Sequence, residues 1–204
     1  MNIERTFLLF SIISLWAAAH WQRQPGYNNM ISTILDEIEN NKNSIFELST
    51  TSGKNENDIS KLLFESLRWE LEKKSYGGLF GWSKFDTDKC RTINSELLIL
   101  EVKKVTEKTE YGYWHGLVQS LIYSYQQSAL SENNFLVLCF ILDWGRNAGN
   151  ELREDEKNFL DQFRDHKIRF ARVSMANNKF IEHNLDEDWT TINEGGYPAD
   201  RRKE

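Results

Sequence analysis

The spacing of apolar positions changes several times along the chain, and each change marks an element. Phe7 to Ala19 is a continuous apolar run, FLLFSIISLWAAA. Ile31, Ile34, Leu35 and Ile38 then recur at three- and four-residue steps and predict an amphipathic helix over about 28–40, broken by Asn40-Asn41-Lys42-Asn43. Residues 50–57, TTSGKNEN, are polar and mark the best boundary before the main fold. Ile59, Leu62, Leu63, Leu67 and Leu71 form one face of a helix expected to start at an Asn57 or Asp58 cap and to run to about Lys74. On that wheel Glu70 falls near the centre of the apolar face and Glu65 on the opposite side. A carboxylate in a buried stripe needs a partner, a proton or a metal.

The period then drops to two. Residues 76–82, YGGLFGW, predict a short strand, and residues on either side of Asn94-Ser95 predict a β-hairpin. Its second strand, Leu97-Leu98-Ile99-Leu100, leads into Glu101-Val102-Lys103, and strand alternation turns Glu101 and Lys103 to one face. Asp86 and Asp88 share a face of the first strand. A turn at Asn94-Ser95 sets Asp88 opposite Glu101, and a slightly wider turn sets Asp86 there. The Lys84-Phe85-Asp86 context leans towards Asp86, and both remain candidates.

Residues 111–130 predict a helix packed through Leu117, Leu121, Ile122 and Tyr125, with His115, Gln119 and Tyr123 as a polar stripe. The run 134–143 is almost continuously apolar, as in a strand covered on both faces. A loop over 144–150, with Asp143 as its cap, leads to a helix over 154–165 that buries Phe159, Leu160 and Phe163. A strand over 167–175 and an edge strand over 179–183 follow. A hairpin followed by crossover helices means an α/β fold, a mixed sheet with helices on both faces. The division expected is a helical segment over 1–50, packed on the core or on a partner subunit, and a main domain over 51–204.

Composition narrows the function classes. The formal net charge of −6 argues against a protein held to nucleic acid by bulk charge alone. It leaves room for a carboxylate site, because a bound divalent cation reverses the local field. The only cysteines, Cys90 and Cys139, lie in predicted strands without metal-ligand spacing; they read as buried thiols of a cytoplasmic protein. Phe7–Ala19 is too short for a stable membrane span. It reads as a helix on the domain or on a second subunit. The alternative is a signal segment over residues 1–19 ending at Ala17-Ala18-Ala19, which makes the protein an exported one.

Hydrolysis of a phosphodiester needs a cation, an activated water and stabilisation of developing negative charge. Mg²⁺ and Mn²⁺ are held by a few carboxylates, waters and substrate oxygens. An aspartate on one hairpin strand and Glu101 on the other can hold one such cation. Lys103, on the same face, can orient or deprotonate water or balance charge on the phosphorus, and Glu70 can extend the ligand set. His115, one turn before Gln119, is a candidate phosphate contact or a structural histidine.

In this order, a helical glutamate, Asp86 or Asp88, Glu101-Val102-Lys103 and Gln119-x-x-x-Tyr123 resemble the PD-(D/E)xK restriction-endonuclease-like superfamily. The Q-x-x-x-Y spacing resembles that of its recombination- and CRISPR-associated exonuclease branch. The resemblance spans about Asp58 to Asp143. It implies an αβββαβ core with a mixed central sheet, extended here by a further αβ unit and the N-terminal helical segment. It implies a nuclease that cleaves DNA with Mg²⁺ or Mn²⁺ to leave 5′-phosphates, in restriction, repair or defence against foreign DNA. The catalytic set it implies is Asp86, Glu101, Lys103 and Gln119. The metal ligands are Glu70, Asp86, Asp88 and Glu101, with Tyr123 and His115 positioning substrate. Three departures are visible: no proline precedes either aspartate, Lys104 stands where that branch often has glycine, and no cysteine set suits an iron–sulfur cluster. A cut through both strands needs two sites, so a homodimer or larger assembly through the N-terminal helix is expected. Two other functions fit the same residues: a nuclease fold without chemistry that acts as a binding or assembly module, and an exported nuclease toxin.

Overall fold

The computed structural model describes residues 25–70, 72–76, 85–109, 111–130 and 134–194, with side chains described outside 25–28, 72–89 and 130. The apolar run Phe7–Ala19 and, apart from Tyr76, the strand expected over 76–82 lie outside the described residues. The elements are α1 (Pro25–Glu47), a 3-10 turn (Leu48–Thr51), α2 (Glu56–Leu67), β1 (Glu72–Tyr76), β2 (Phe85–Ile93) and β3 (Glu96–Thr106). These are followed by α3 (Gly112–Leu130), β4 (Phe135–Trp144), α4 (Glu154–Asp161), β5 (Ile168–Ser174), β6 (Phe180–His183) and β7 (Thr190–Asn193).

The seven strands form one sheet in sequence order. β1, β2 and β3 are antiparallel neighbours, β3–β4–β5 are parallel, and β6 and β7 return antiparallel. The class is therefore α/β with a mixed open sheet. Two crossovers of the same hand that step in the same direction place their helices on the same face. Accordingly Leu117 and Tyr123 of α3 pack with Leu160 of α4 against Leu97, Ile99, Val137, Cys139 and Phe170. The other face carries α1 and α2: Met30, Ile34, Ile38, Ile59 and Leu63 join Leu98, Leu100, Val102, Leu138 and Phe140 in a second cluster. The described part of the segment before residue 50, α1 and the 3-10 turn, thus shares its core with the sheet.

Several boundaries differ from the sequence expectation. The helix does not break at Asn40–Asn43; it runs on to Glu47 because Ile45 and Phe46 continue its buried face, and the Asn41 amide bonds back to the Glu37 carbonyl. α2 starts at Glu56 on an Asn55 cap, whose side chain accepts from the Asp58 N–H. It ends at Leu67 rather than Lys74, because Arg68 takes a left-handed conformation (φ 57°) and the chain turns into β1. The hairpin turn falls at Asn94-Ser95 as expected. Both residues have positive φ, which matches the right-handed twist of two-residue hairpins. β6 is an internal strand, with β7 outside it.

Candidate active site

Odd-numbered residues of β3 face α3, and this turns Glu101 and Lys103 to one side of the sheet together with Ile99 and Val105. The Lys103 ammonium lies 2.9 Å from Glu101 Oε1 and 3.0 Å from Glu56 Oε1. Glu101 is buried, and Lys103 is largely so. Burial pulls the Lys103 pKa down, but the charges and hydrogen bonds of Glu101 and Glu56 more than offset it and leave the group above its ordinary value. Lys103 is therefore held as an ammonium.

Glu56 reaches this point because the strands part. Paired positions between β2 and β3 run from Ile93↔Glu96 to Cys90↔Ile99, whereas β3 stays paired with β4 as far as Thr106↔Trp144. Beyond Ile99, the edge of β3 receives the first turn of α2: Glu56 Oε2 accepts the Lys104 backbone N–H at 3.4 Å. The Lys104 ammonium donates to the carbonyls of Ser52 and Lys54, and so ties down the loop that leads into α2. The residue that departs from the glycine of the resembled branch thus anchors the segment that delivers Glu56.

α3 lies close over this place because residue 116 is glycine. A Cβ there would stand 2.9 Å from Cys139 Sγ and 3.0 Å from Lys103 Cγ. Cys139 is the β4 partner of Glu101, and burial, with the Glu101 charge adding to it, pushes its thiol up to about 12. Gln119 follows Gly116 by one turn; its Oε1 is buried and has no hydrogen-bond partner among the described residues. Tyr123 is buried on the same side of the helix. His115 is exposed and contacts the Tyr111 ring, so the structure does not bring it to Lys103.

The three other candidates fare differently. Asp86 and Asp88 belong to β2 by backbone, and Asp86 pairs with Ser75 of β1, but the β2–β3 pairing ends at Cys90↔Ile99, so the register sets neither opposite Glu101 or Lys103. Their side chains lie outside the described residues. Glu70 is not in the centre of a buried helical stripe: α2 has ended, and Glu70 is exposed. Its neighbour Trp69 lies under Arg91, the partner of Leu98, which is about 17 Å of strand before Lys103. The glutamate that α2 does supply is Glu56, from its opposite end. The signal for it was the Asn55-x-x-Asp58 capping pattern, which makes residue 56 the first helical position.

A second charged cluster lies on the same face of the sheet. Arg172 of β5 donates from Nε and Nη2 to Asp143 Oδ2 and from Nη1 to Glu182 Oε2, at 2.8–3.0 Å. Its remaining donors hold the carbonyls of Asn147, Ala148 and Asn150. The Tyr113 hydroxyl donates to Asp143, which also accepts the Gly145 N–H as the expected loop cap. A cleft of about 860 Å³ opens beside it between α3, α4 and residues 145–153, and its lining does not include Glu101 or Lys103. The polar atoms of Arg172 and Asp143 are committed to one another and to the loop, which marks the cluster as a staple.

Comparison with protein-family models, with curated proteins and with solved structures finds no match to this chain. Among the described residues no group of three or more His, Cys, Asp or Glu is arranged to hold a metal ion. Two carboxylates nevertheless converge on one point, now taken by the Lys103 ammonium. Hard oxygen donors of that number, completed by waters and substrate oxygens, suit Mg²⁺ or Mn²⁺. No helix among the described residues is long and apolar enough to cross a membrane.

Proposed function

We propose that the protein is a divalent-metal-dependent nuclease that hydrolyses phosphodiester bonds in DNA, acting in restriction, repair or defence. The observation that carries the reading is the convergence of Glu101, Lys103 and Glu56 where β2 leaves β3. The order of elements supports it: a helix, a three-stranded antiparallel meander, a helix and a parallel strand, the αβββαβ order of the nucleases the sequence resembles.

Glu56, Glu101 and Lys103 together carry one net negative charge, and an aspartate from β2 would add a second. One divalent cation balances that pair of charges. Bound there, it would neutralise the phosphate and make an attacking water more acidic. Lys103, kept as an ammonium, is suited to stabilising negative charge on the phosphorus rather than to removing a proton from water. Gln119, with a buried acceptor to spare, is suited to orienting a water or a substrate group.

The test is incubation of the purified protein with Mn²⁺ or Mg²⁺ and with plasmid, linear double-stranded and single-stranded DNA. Cleavage is expected to be abolished by EDTA, by Glu101→Gln and by Lys103→Ala, with the fold retained by circular dichroism. Full activity in both variants refutes the reading. A second reading has its own support: both glutamates are already satisfied by Lys103 and Lys104, as in a nuclease fold that serves only as a binding or assembly module. Absence of cleavage on every substrate with either metal would favour it.

A further inference from the structure

Besides the apolar residues that α3 packs on the sheet, such as Leu117 and Tyr123, it presents a second apolar face to solvent. Its 19 residues include no Asp, Glu, Lys or Arg, although charged residues make up 27% of the chain. Ser120, Ser124, Gln126 and Gln127 are buried, while Tyr111, Trp114, Val118 and Tyr125 are exposed by 63, 59, 51 and 38%. Those four follow the three- to four-residue step of one helix face, and Phe159 of α4, 38% exposed, extends it by an edge contact with Trp114. An uncharged, aromatic-rich surface is the composition of an interface core, where charged groups are depleted and Tyr and Trp enriched.

We propose that this face of α3 is the two-fold interface of a homodimer, with the two α3 helices packed antiparallel. The area is sufficient. At ~200 Å² per aromatic side chain the exposed parts come to roughly 500 Å² per copy, and the pair then buries about 1,000 Å², the lower bound of a specific interface. The charges select a second copy in this orientation. Trp114 is backed by Phe159, one turn after Glu154, Asp155 and Glu156; residues 151–157 hold four carboxylates against two cations. Tyr125, near the other end of the stripe, contacts His166, within a segment 161–169 that holds Arg164, Lys167 and Arg169 against Asp165 and Asp161, the latter paired with Arg164. An antiparallel pair sets each acidic end against the partner's basic end, and an isologous pair does so twice. The α3 dipoles also oppose. This inference does not rest on the nuclease reading.

Antiparallel pairing about the middle of the stripe, Tyr111 to Tyr125, places Val118 beside its own copy on the axis. The full chain is examined by sedimentation equilibrium. The wild type is expected at twice the 24.0 kDa chain mass and Val118→Glu at the chain mass, with unchanged circular dichroism. Val118→Cys is expected to cross-link to a disulfide dimer on air oxidation, two thiols giving up their hydrogens to dioxygen, whereas Lys61→Cys on exposed α2 stays uncrosslinked. Cys90 and Cys139 are buried and do not interfere. A monomeric wild type, a dimer that Val118→Glu leaves intact, or no cross-link at 118 overturns the proposal.

Discussion

Glu56 and Lys103 are 47 residues apart in sequence and meet at 3.0 Å. One is the first residue of a helix on one side of the sheet; the other stands on a strand and faces the helix on the opposite side. They meet only because β2 leaves β3 after Ile99 and the first turn of α2 takes its place at the strand edge. The site is assembled at a gap in a sheet, which exposes strand polar groups that regular pairing would have used up.

If that gap holds a cation, the Lys103 ammonium competes with it. Lys103→Met leaves Glu101 buried without its counter-charge, and the stability lost is expected to be about 3 kcal/mol. Mn²⁺ should then raise the melting temperature of Lys103→Met more than that of the wild type, because the metal replaces the missing charge. Glu56→Gln and Glu101→Gln should each blunt the rise. Differential scanning fluorimetry with and without MnCl₂ reads this directly, and a Lys103→Met melting curve indifferent to Mn²⁺ would count against a metal at Glu56 and Glu101.

Gly116→Ala tests how closely α3 must lie on the site. The new methyl would meet Cys139 Sγ and Lys103 Cγ at about the distances where real contacts cease, so a loss of about 1–3 kcal/mol is expected in urea denaturation. Adding Cys139→Ala removes one of the two obstacles and should restore part of the loss. No recovery would place the strain elsewhere.

Arg172→Met should destabilise by about 3–5 kcal/mol, since it leaves the buried Asp143 without its cation and the buried Glu182 with Lys157 alone, 3.6 Å away. The triple variant with Asp143→Asn and Glu182→Gln should regain much of this, because no net charge is then left in the interior. Urea midpoints of the single and triple variants decide the point.

His183 gives a pH dependence of defined sign. It is buried, neither ring nitrogen has a hydrogen-bond partner among the described residues, and burial lowers its pKa to about 4. The unfolded chain takes up a proton near pH 6.5 that the folded chain refuses until about 4. Stability from this residue is therefore complete above about pH 6.5 and is lost as pH falls towards 4, by about 3 kcal/mol in all. His183→Leu should flatten that limb of the stability curve. An unchanged slope between pH 6.5 and 4 would show that other groups carry it.

Much of this protein follows from local signals. Asn94-Ser95 names its own turn, the Leu97–Lys103 alternation sets Glu101 and Lys103 on one face, and the unbroken apolar run 135–142 declares a strand covered on both sides. The element order from α2 to β4 follows from these signals, although β1, expected over 76–82, lies at Glu72–Tyr76, mostly in a stretch whose spacing continues the helix. The end of α2 was less legible: the apolar spacing continues past Leu67 to Leu71, and only the left-handed turn at Arg68 stops it.

Two decisions belonged to the tertiary structure alone. The sequence offered two acids around α2, Glu65 and Glu70, and the fold uses neither at Lys103; the Asn55 cap marks Glu56 as the first helical residue, but its meeting with Lys103 depends on where β2 releases the strand edge, a long-range event. The apolar side of α3 was expected inward, with Tyr125 packed and His115 and Gln119 on a polar stripe. Leu117 is buried and Leu121 packs on the same cluster as expected, but the sheet beneath also carries Glu101, Lys103, Asp143 and Arg172; Ser120, Ser124, Gln126 and Gln127 are buried as well, and Tyr125 is exposed. Periodicity fixes that a helix has two faces, but which of them turns inward depends on what the rest of the chain has placed below.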